Sequence, residues 1–150
     1  MITEDYVSFE TAKMLAEKGF DETCRASYVY AKKEKKSYIH NHDRHLIDDY
    51  ITNSFIKKYN DSDARYYAAP TLQMAAKWLR SKGIHVEVQA LEEKPPFTSL
   101  MYHFCLYRRS VLNGSIHTTE FPYNKMSFFS YEEALEEGIE EACKLIANKQ

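Results

Sequence analysis

Apolar and polar positions recur along this chain with two periods, and the switches between them mark the elements. After Ser8, whose hydroxyl suits an N-cap, Phe9, Ala12, Leu15 and Ala16 recur at helical spacing, and Gly19-Phe20 supplies a left-handed C-cap with its hydrophobic contact. A second helix follows Pro70: Thr71 caps it, Leu72, Ala75, Ala76 and Leu79 share a face, and Gly83-Ile84 ends it in the same way. A third opens on the Ser-x-x-Glu capping box of Ser130 and Glu133, with Leu135, Gly138, Ile139, Ala142 and Ile146 along one side. Gly138 lies within that apolar stripe, where the missing side chain lets a helix approach a sheet closely.

Between the second and third helices the period falls to two. Ile84, Val86, Val88 and Ala90 alternate with His85, Glu87 and Gln89, the pattern of a half-buried strand, and Pro95-Pro96 ends it. Thr98 to Val111 forms a long aromatic-rich run, and Asn113-Gly114 is a strong hairpin signal joining it to Ser115 through Phe121. Upstream, Ser27 to Ala31 and Ser37 to Ile39 are set to pair across Lys32-Lys33-Glu34-Lys35-Lys36. The stretch from His40 to Ala68 is polar and rich in Asn and Asp, with Leu46, Ile47, Tyr50, Ile51 and Phe55 on one side of a single amphipathic helix. The prediction is an α+β fold, with an antiparallel sheet of about four to five strands packed against three main helices and a polar helical insertion. It spans residues 1–150 as a single domain, with the insertion or lobe at 40–68. Ala12-Lys13-x-Leu15 with Lys18-Gly19 recurs as Ala76-Lys77-x-Leu79 with Lys82-Gly83, which is the common grammar of a helix ending in Lys-Gly rather than a duplication.

Composition narrows the picture. A chain of 150 residues with 44% apolar and 28% charged residues can bury a core without disulfides or a structural metal. A formal charge of −2 gives no general attraction to nucleic acid or an anionic membrane. Cys24, Cys105 and Cys143 are odd in number and widely spaced, so they read as reduced thiols. The start Met-Ile-Thr-Glu-Asp-Tyr is acidic where a signal peptide is basic, and no apolar run reaches membrane-spanning length, so a cytoplasmic location and no membrane partner are expected. The 12 tyrosines are the oddity, and such rings serve cores, interfaces and base-stacking platforms alike.

Three constellations carry potential chemistry. His40-Asn41-His42-Asp43-Arg44-His45 with Asp48-Asp49 concentrates imidazoles and carboxylates. On a helix that starts early enough, His42, His45 and Asp49 fall at i, i+3 and i+7, the candidate ligand set for one divalent ion. Asp43 as N-cap would instead leave only His45 and Asp49 facing each other. The ligand side lies opposite Leu46, Tyr50 and Ile51, in solvent, and the spacing matches none of the diagnostic metal motifs. His103 and Cys105 share a strand face, but same-face neighbours stand about 6.5–7 Å apart along a strand, too far for an imidazole to activate a thiolate. With a two-residue Asn113-Gly114 loop, Cys105 would face Pro122 and His103 would face Asn124, so no third catalytic member is supplied. No catalytic residue and no cofactor is assigned.

Lys32 to Lys36, Lys57-Lys58 and Arg108-Arg109 are interleaved with aromatics, as single-stranded nucleic acid would need. The negative charge and the run Glu132, Glu133, Glu136, Glu137, Glu140 and Glu141 argue for solvated faces instead, and no nucleic-acid-binding residue is assigned.

Val7-Ser8-Phe9-Glu10-Thr11-Ala12-Lys13 through Lys18-Gly19-Phe20-Asp21-Glu22, then Ala69-Pro70-Thr71-Leu72-Gln73-Met74-Ala75 with Lys77-Trp78-Leu79-Arg80, and finally Ser130-Tyr131-Glu132-Glu133-Ala134-Leu135 with Gly138 are three notable blocks. On these, the chain resembles a recurring group of small proteins encoded by phages, prophages and mobile elements of gut Bacteroidales. The resemblance implies a phage or mobile-element accessory protein and brings no catalytic residue or ligand with it. Without a chemical constellation, the expected action is non-enzymatic, by binding a host or phage protein, through an exposed patch built from surplus tyrosines of the sheet or from the inserted lobe. An isologous homodimer is a second use of such a surface. The competing readings are a metal-dependent hydrolase using His42, His45 and Asp49, and weak single-stranded nucleic-acid binding.

Overall fold

The computed structural model describes residues 3–41, 51–92, 100–121 and 127–147. The described chain is α+β, with six strands in two three-stranded antiparallel sheets and four α-helices. It divides into two compact units, with the boundary after Met74.

In the first unit, α1 (Phe9–Glu17) is capped as its sequence dictates: the Ser8 hydroxyl accepts from the Thr11 amide, and Gly19 takes φ 93° beyond the last turn. Strands β1 (Ala26–Ala31) and β2 (Lys36–Asn41) form the hairpin across the lysine-rich turn, with Ala31 opposite Lys36 and Ala26 opposite Asn41. After α2 (Asn53–Ile56) and a single 3-10 turn at Lys57–Tyr59, β3 (Ala64–Ala69) returns to the far side of β1, giving the order β2-β1-β3. Ala26, Tyr28 and Tyr30 lie on one face with Tyr67, and α1 supplies its centre. Phe9 stacks on Tyr30 at 5.4 Å and meets Tyr28 and Tyr67 edge-on at 5.8 and 5.7 Å. The Tyr28 hydroxyl donates to the Val7 carbonyl at 2.7 Å, so this ring is core and its polar end is satisfied. Three of the 12 tyrosines, Tyr28, Tyr30 and Tyr67, are thus structural. The segment before α1 is tied down by Val7 N–H donating to the Pro70 carbonyl and by Leu72 N–H donating to that of Asp5.

The second unit begins within α3 (Leu72–Ser81), whose Thr71 cap accepts from the Met74 amide. Strands β4 (Ile84–Glu92), β5 (Leu100–Leu112) and β6 (Ser115–Phe121) form a meander in the order β4-β5-β6, and α4 (Tyr131–Lys144) closes the unit. Asn113 and Gly114 both take positive φ, 52° and 76°, as a two-residue hairpin turn requires. That turn sets Leu112 opposite Ser115 and, down the ladder, Leu106 opposite Phe121. Beyond β6, Phe128 exchanges backbone hydrogen bonds with Tyr102 at 2.7 and 2.9 Å, continuing the ladder beside β5. Helix α4 packs its buried Ala134, Leu135, Gly138, Ile139 and Ala142 against β4 and β5. A Cβ at Gly138 would lie 2.5 Å from Val86 Cγ1 and 3.2 Å from the Phe104 ring, so the absence of a side chain allows the close approach.

Two expectations need correction. The single sheet of about four to five strands is two sheets of three, because a hairpin signal identifies local partners and says nothing of which hairpins share a ladder. The polar stretch 40–68 contains the end of β2 and all but the last residue of β3, an integral strand, while Ile51 lies in an extended bridge to Cys24 rather than in a helix. Leu46, Ile47 and Tyr50 of the expected amphipathic helix lie outside the described residues. Phe55, expected on its apolar side, is 44% exposed.

Candidate interaction surface

The histidine-rich constellation, His42, His45 and Asp49, lies outside the described residues. Among the described residues no group of three His, Cys, Asp or Glu side chains is placed to hold a metal ion.

His103 and Cys105 share one face of β5, with Gln89 opposite the histidine and Glu87 opposite the cysteine on β4. Burial pushes the Cys105 thiol up, the carboxylates of Glu120 and Glu87 reinforce this, and a hydrogen bond with Tyr107 opposes it. A thiol kept protonated by neighbouring carboxylates is the reverse of an activated nucleophile. His103 Nδ1 is buried with no hydrogen-bond partner among the described residues, so this nitrogen does not take the Cys105 proton. Cys24 is still less reactive, its thiol pushed up to about 12 by burial and by Glu22. All three cysteines are free thiols.

The basic runs disperse. Lys32 Nζ donates to the Asp61 carbonyl at 2.9 Å, Lys33 reaches Asp63 at 4.0 Å, and Lys58 lies over the Phe55 ring at 3.9 Å. Arg108 and Arg109, adjacent on a strand, fall on opposite faces of the sheet.

What the second unit does present is an open sheet face. One face of β4-β5-β6 carries α4. The alternate residues His85, Glu87, Gln89, Tyr107, Arg109, Val111, Ile116, Thr118 and Glu120 lie on the other, together with the half-buried His103 and Cys105. Strand β5 outruns β4: the last rung between them joins Ile84 to Arg108, with Arg109 N–H donating to the Gly83 carbonyl at 2.7 Å. Beyond it, Ser110–Leu112 and Ser115–His117 pair only with each other as a two-stranded arm. Its apolar side chains are largely in solvent, with Val111 67%, Leu112 59% and Ile116 57% exposed, and Val111 sits directly opposite Ile116. Aliphatic side chains at a hairpin tip gain nothing from the fold, and they adjoin a shallow groove of about 670 Å³ lined by His85–Val88, Tyr107, Arg109, Ile116, Thr118 and Tyr131.

The aliphatic patch on the arm stands beside exposed aromatics elsewhere, Tyr38 on β2 and Phe55 and Tyr59 in the 40–68 stretch. A signal for it does stand in the sequence: the apolar residues Val111, Leu112 and Ile116 run up to the Asn-Gly turn where a hairpin tip is ordinarily polar. Comparison of the chain with protein-family models, curated proteins and solved structures gave no match. No helix among the described residues is long and apolar enough to cross a membrane.

Proposed function

We propose that this chain is a non-enzymatic protein-binding module, an accessory protein of the phage or mobile-element kind implied by its three blocks, and that its partner docks on the open face of β4-β5-β6 and on the β5–β6 arm. The observation that carries this reading is the exposure of Val111, Leu112 and Ile116 beyond the end of β4, beside the groove holding Tyr107 and Arg109. An apolar centre rimmed by an aromatic, an arginine and carboxylates has the composition of a protein–protein contact. The weakly nucleophilic Cys105 thiol and the dispersed lysines give catalysis and nucleic-acid binding no comparable support.

The test places a photo-crosslinking amino acid at Ile116 and, as a control on α1, at Glu10, in tagged protein expressed in the host cell. One partner crosslinked from Ile116 and not from Glu10, and lost in a Val111→Asp/Ile116→Asp variant whose circular dichroism is unchanged, is the expected result. Undiminished capture by that variant would sink the proposal. Running His42→Ala/His45→Ala in parallel separates the hydrolase alternative, since a partner kept by that variant owes nothing to the histidine cluster.

A further inference from the structure

The edge of the second sheet carries a different contact. Because Arg109 N–H bonds to the Gly83 carbonyl, the odd-numbered residues of β4 turn their backbone groups toward β5, and Ile84, Val86, Val88 and Ala90 turn theirs outward. None of these outward groups has a hydrogen-bond partner among the described residues. The strand is nine residues long and holds no proline, lysine or arginine to discourage pairing. Elsewhere the chain does close an edge: the outward N–H groups of Ala64, Tyr66 and Ala68 on β3 are accepted by the side chains of Asp61, Asn60 and Asn53.

We propose that β4 is the seam of a homodimer, in which two copies pair β4 with β4 antiparallel about a twofold axis at Val86. Three central registers bring outward groups together. An axis at Glu87 sets that carboxylate against its own copy. An axis at Val88 sets His85 against Leu91 and Glu87 against Gln89, leaving no imidazole opposite a carboxylate. An axis at Val86 sets His85 opposite Glu87 twice, by symmetry, on the open face, where both side chains are exposed. This register also joins Ile84 to Val88 and Val86 to Val86 through about six backbone hydrogen bonds. Both sheets then merge into one, with the open faces side by side. The seam does not depend on the partner-docking reading above, which uses the face and the arm.

The test is sedimentation equilibrium of the full chain over a micromolar concentration series. A mass of twice 17.6 kDa is expected, and a monomer at the highest concentration overturns the seam. Glu87→Lys should weaken association roughly tenfold by replacing two imidazole–carboxylate rungs with two that hold no acceptor carboxylate, and His85→Glu/Glu87→Lys should restore it with two carboxylate–ammonium rungs. A dimer indifferent to Glu87→Lys, or not restored by the exchange, overturns this register. Amide exchange gives an independent readout: Ile84, Val86 and Val88 should be protected in the dimer and lose protection on dilution. Val111→Asp/Ile116→Asp should leave the dimer intact, so loss of the protein partner and loss of the seam are separable.

Discussion

The outer edges of β3 and β4 are the same kind of object treated in opposite ways. Both belong to three-stranded antiparallel sheets, each with one face covered by a helix. On β3 every second N–H meets a side-chain oxygen, from Asp61 at 2.7 Å, Asn60 at 2.7 Å and Asn53 at 2.9 Å. On β4 the corresponding groups meet nothing among the described residues. An unpaired edge invites another strand, and a chain that closes one edge with three dedicated acceptors has the means to close another. The difference is what the proposed seam rests on, and it gives Asn53, Asn60 and Asp61 a role in edge closure.

The two units differ also in topology, which bears on the repeated Ala-Lys-x-Leu and Lys-Gly wording. Each unit opens with a helix ending at a positive-φ glycine, Gly19 at 93° and Gly83 at 81°. The first strand after the helix is central in one sheet and an edge in the other. The shared residues encode how a helix stops, and the strand order is decided by pairings farther along the chain, β3 returning to β1 across residues 32–63.

The helix-covered face of the second sheet offers the largest effect. Gly138→Val should destabilise by about 3 kcal/mol, since its side chain must displace Val86 and Phe104 from a close-packed contact. Gly138→Ala should cost about 1 kcal/mol net, overpacking outweighing the roughly 1 kcal/mol gain in helix propensity. Adding Val86→Ala to Gly138→Ala should recover part of the loss, a coupling readable in urea denaturation. Additive losses would mean that α4 does not approach the sheet at this point.

The covered edge of the first sheet gives the next effect. Asn53 Oδ1 accepts from Ala68 N–H while its Nδ2 donates to the Phe20 carbonyl at 2.7 Å, so one side chain joins β3 to the end of α1. Asn53→Ala removes both hydrogen bonds, takes the acceptor from the Ala68 N–H and should cost about 2 kcal/mol. It should also turn β3 into an edge like β4, with faster amide exchange at Ala68 and a new tendency to associate. A variant that loses stability without changing exchange at Ala68 would show that the oxygen is not closing the edge.

Elements specified by neighbouring residues were legible in the chain. The caps at Ser8, Thr71 and Ser130, the Asn113-Gly114 turn with its register, and the close approach at Gly138 all follow from side chains within a few positions. What escaped was non-local. Strand β3 pairs with β1 across the whole of residues 32–63, and Ala64-Arg65-Tyr66-Tyr67-Ala68-Ala69 shows no clean alternation. Helix α1 covers one face of that strand and the α2 segment covers its edge, so no regular polar side remains to be read. The arm was half legible: its apolar residues stood beside the turn, but their exposure depends on β4 beginning only at Ile84, opposite Arg108.

The smallest effect tests the last rung of the β3 closure. The Ala64 and Asp63 amides, both donating to Asp61 Oδ1 at 2.7 Å, hold that carboxyl below its ordinary value near 3.8, with Lys32 adding a little and slight burial opposing. A carboxyl whose value is lowered by folding binds its proton less readily in the folded chain than in the unfolded one. Its contribution is therefore complete above 3.8 and is lost as pH falls through the folded-state value. Asp61 is fully exposed, so the change should be confined to the start of β3. The Ala64 amide resonance in wild type should move on acidification below about pH 4, while Asp61→Asn, which keeps an acceptor oxygen and loses the titration, should hold it in place. Equal movement in both proteins would assign the closure of this edge to Asn53 and Asn60 alone.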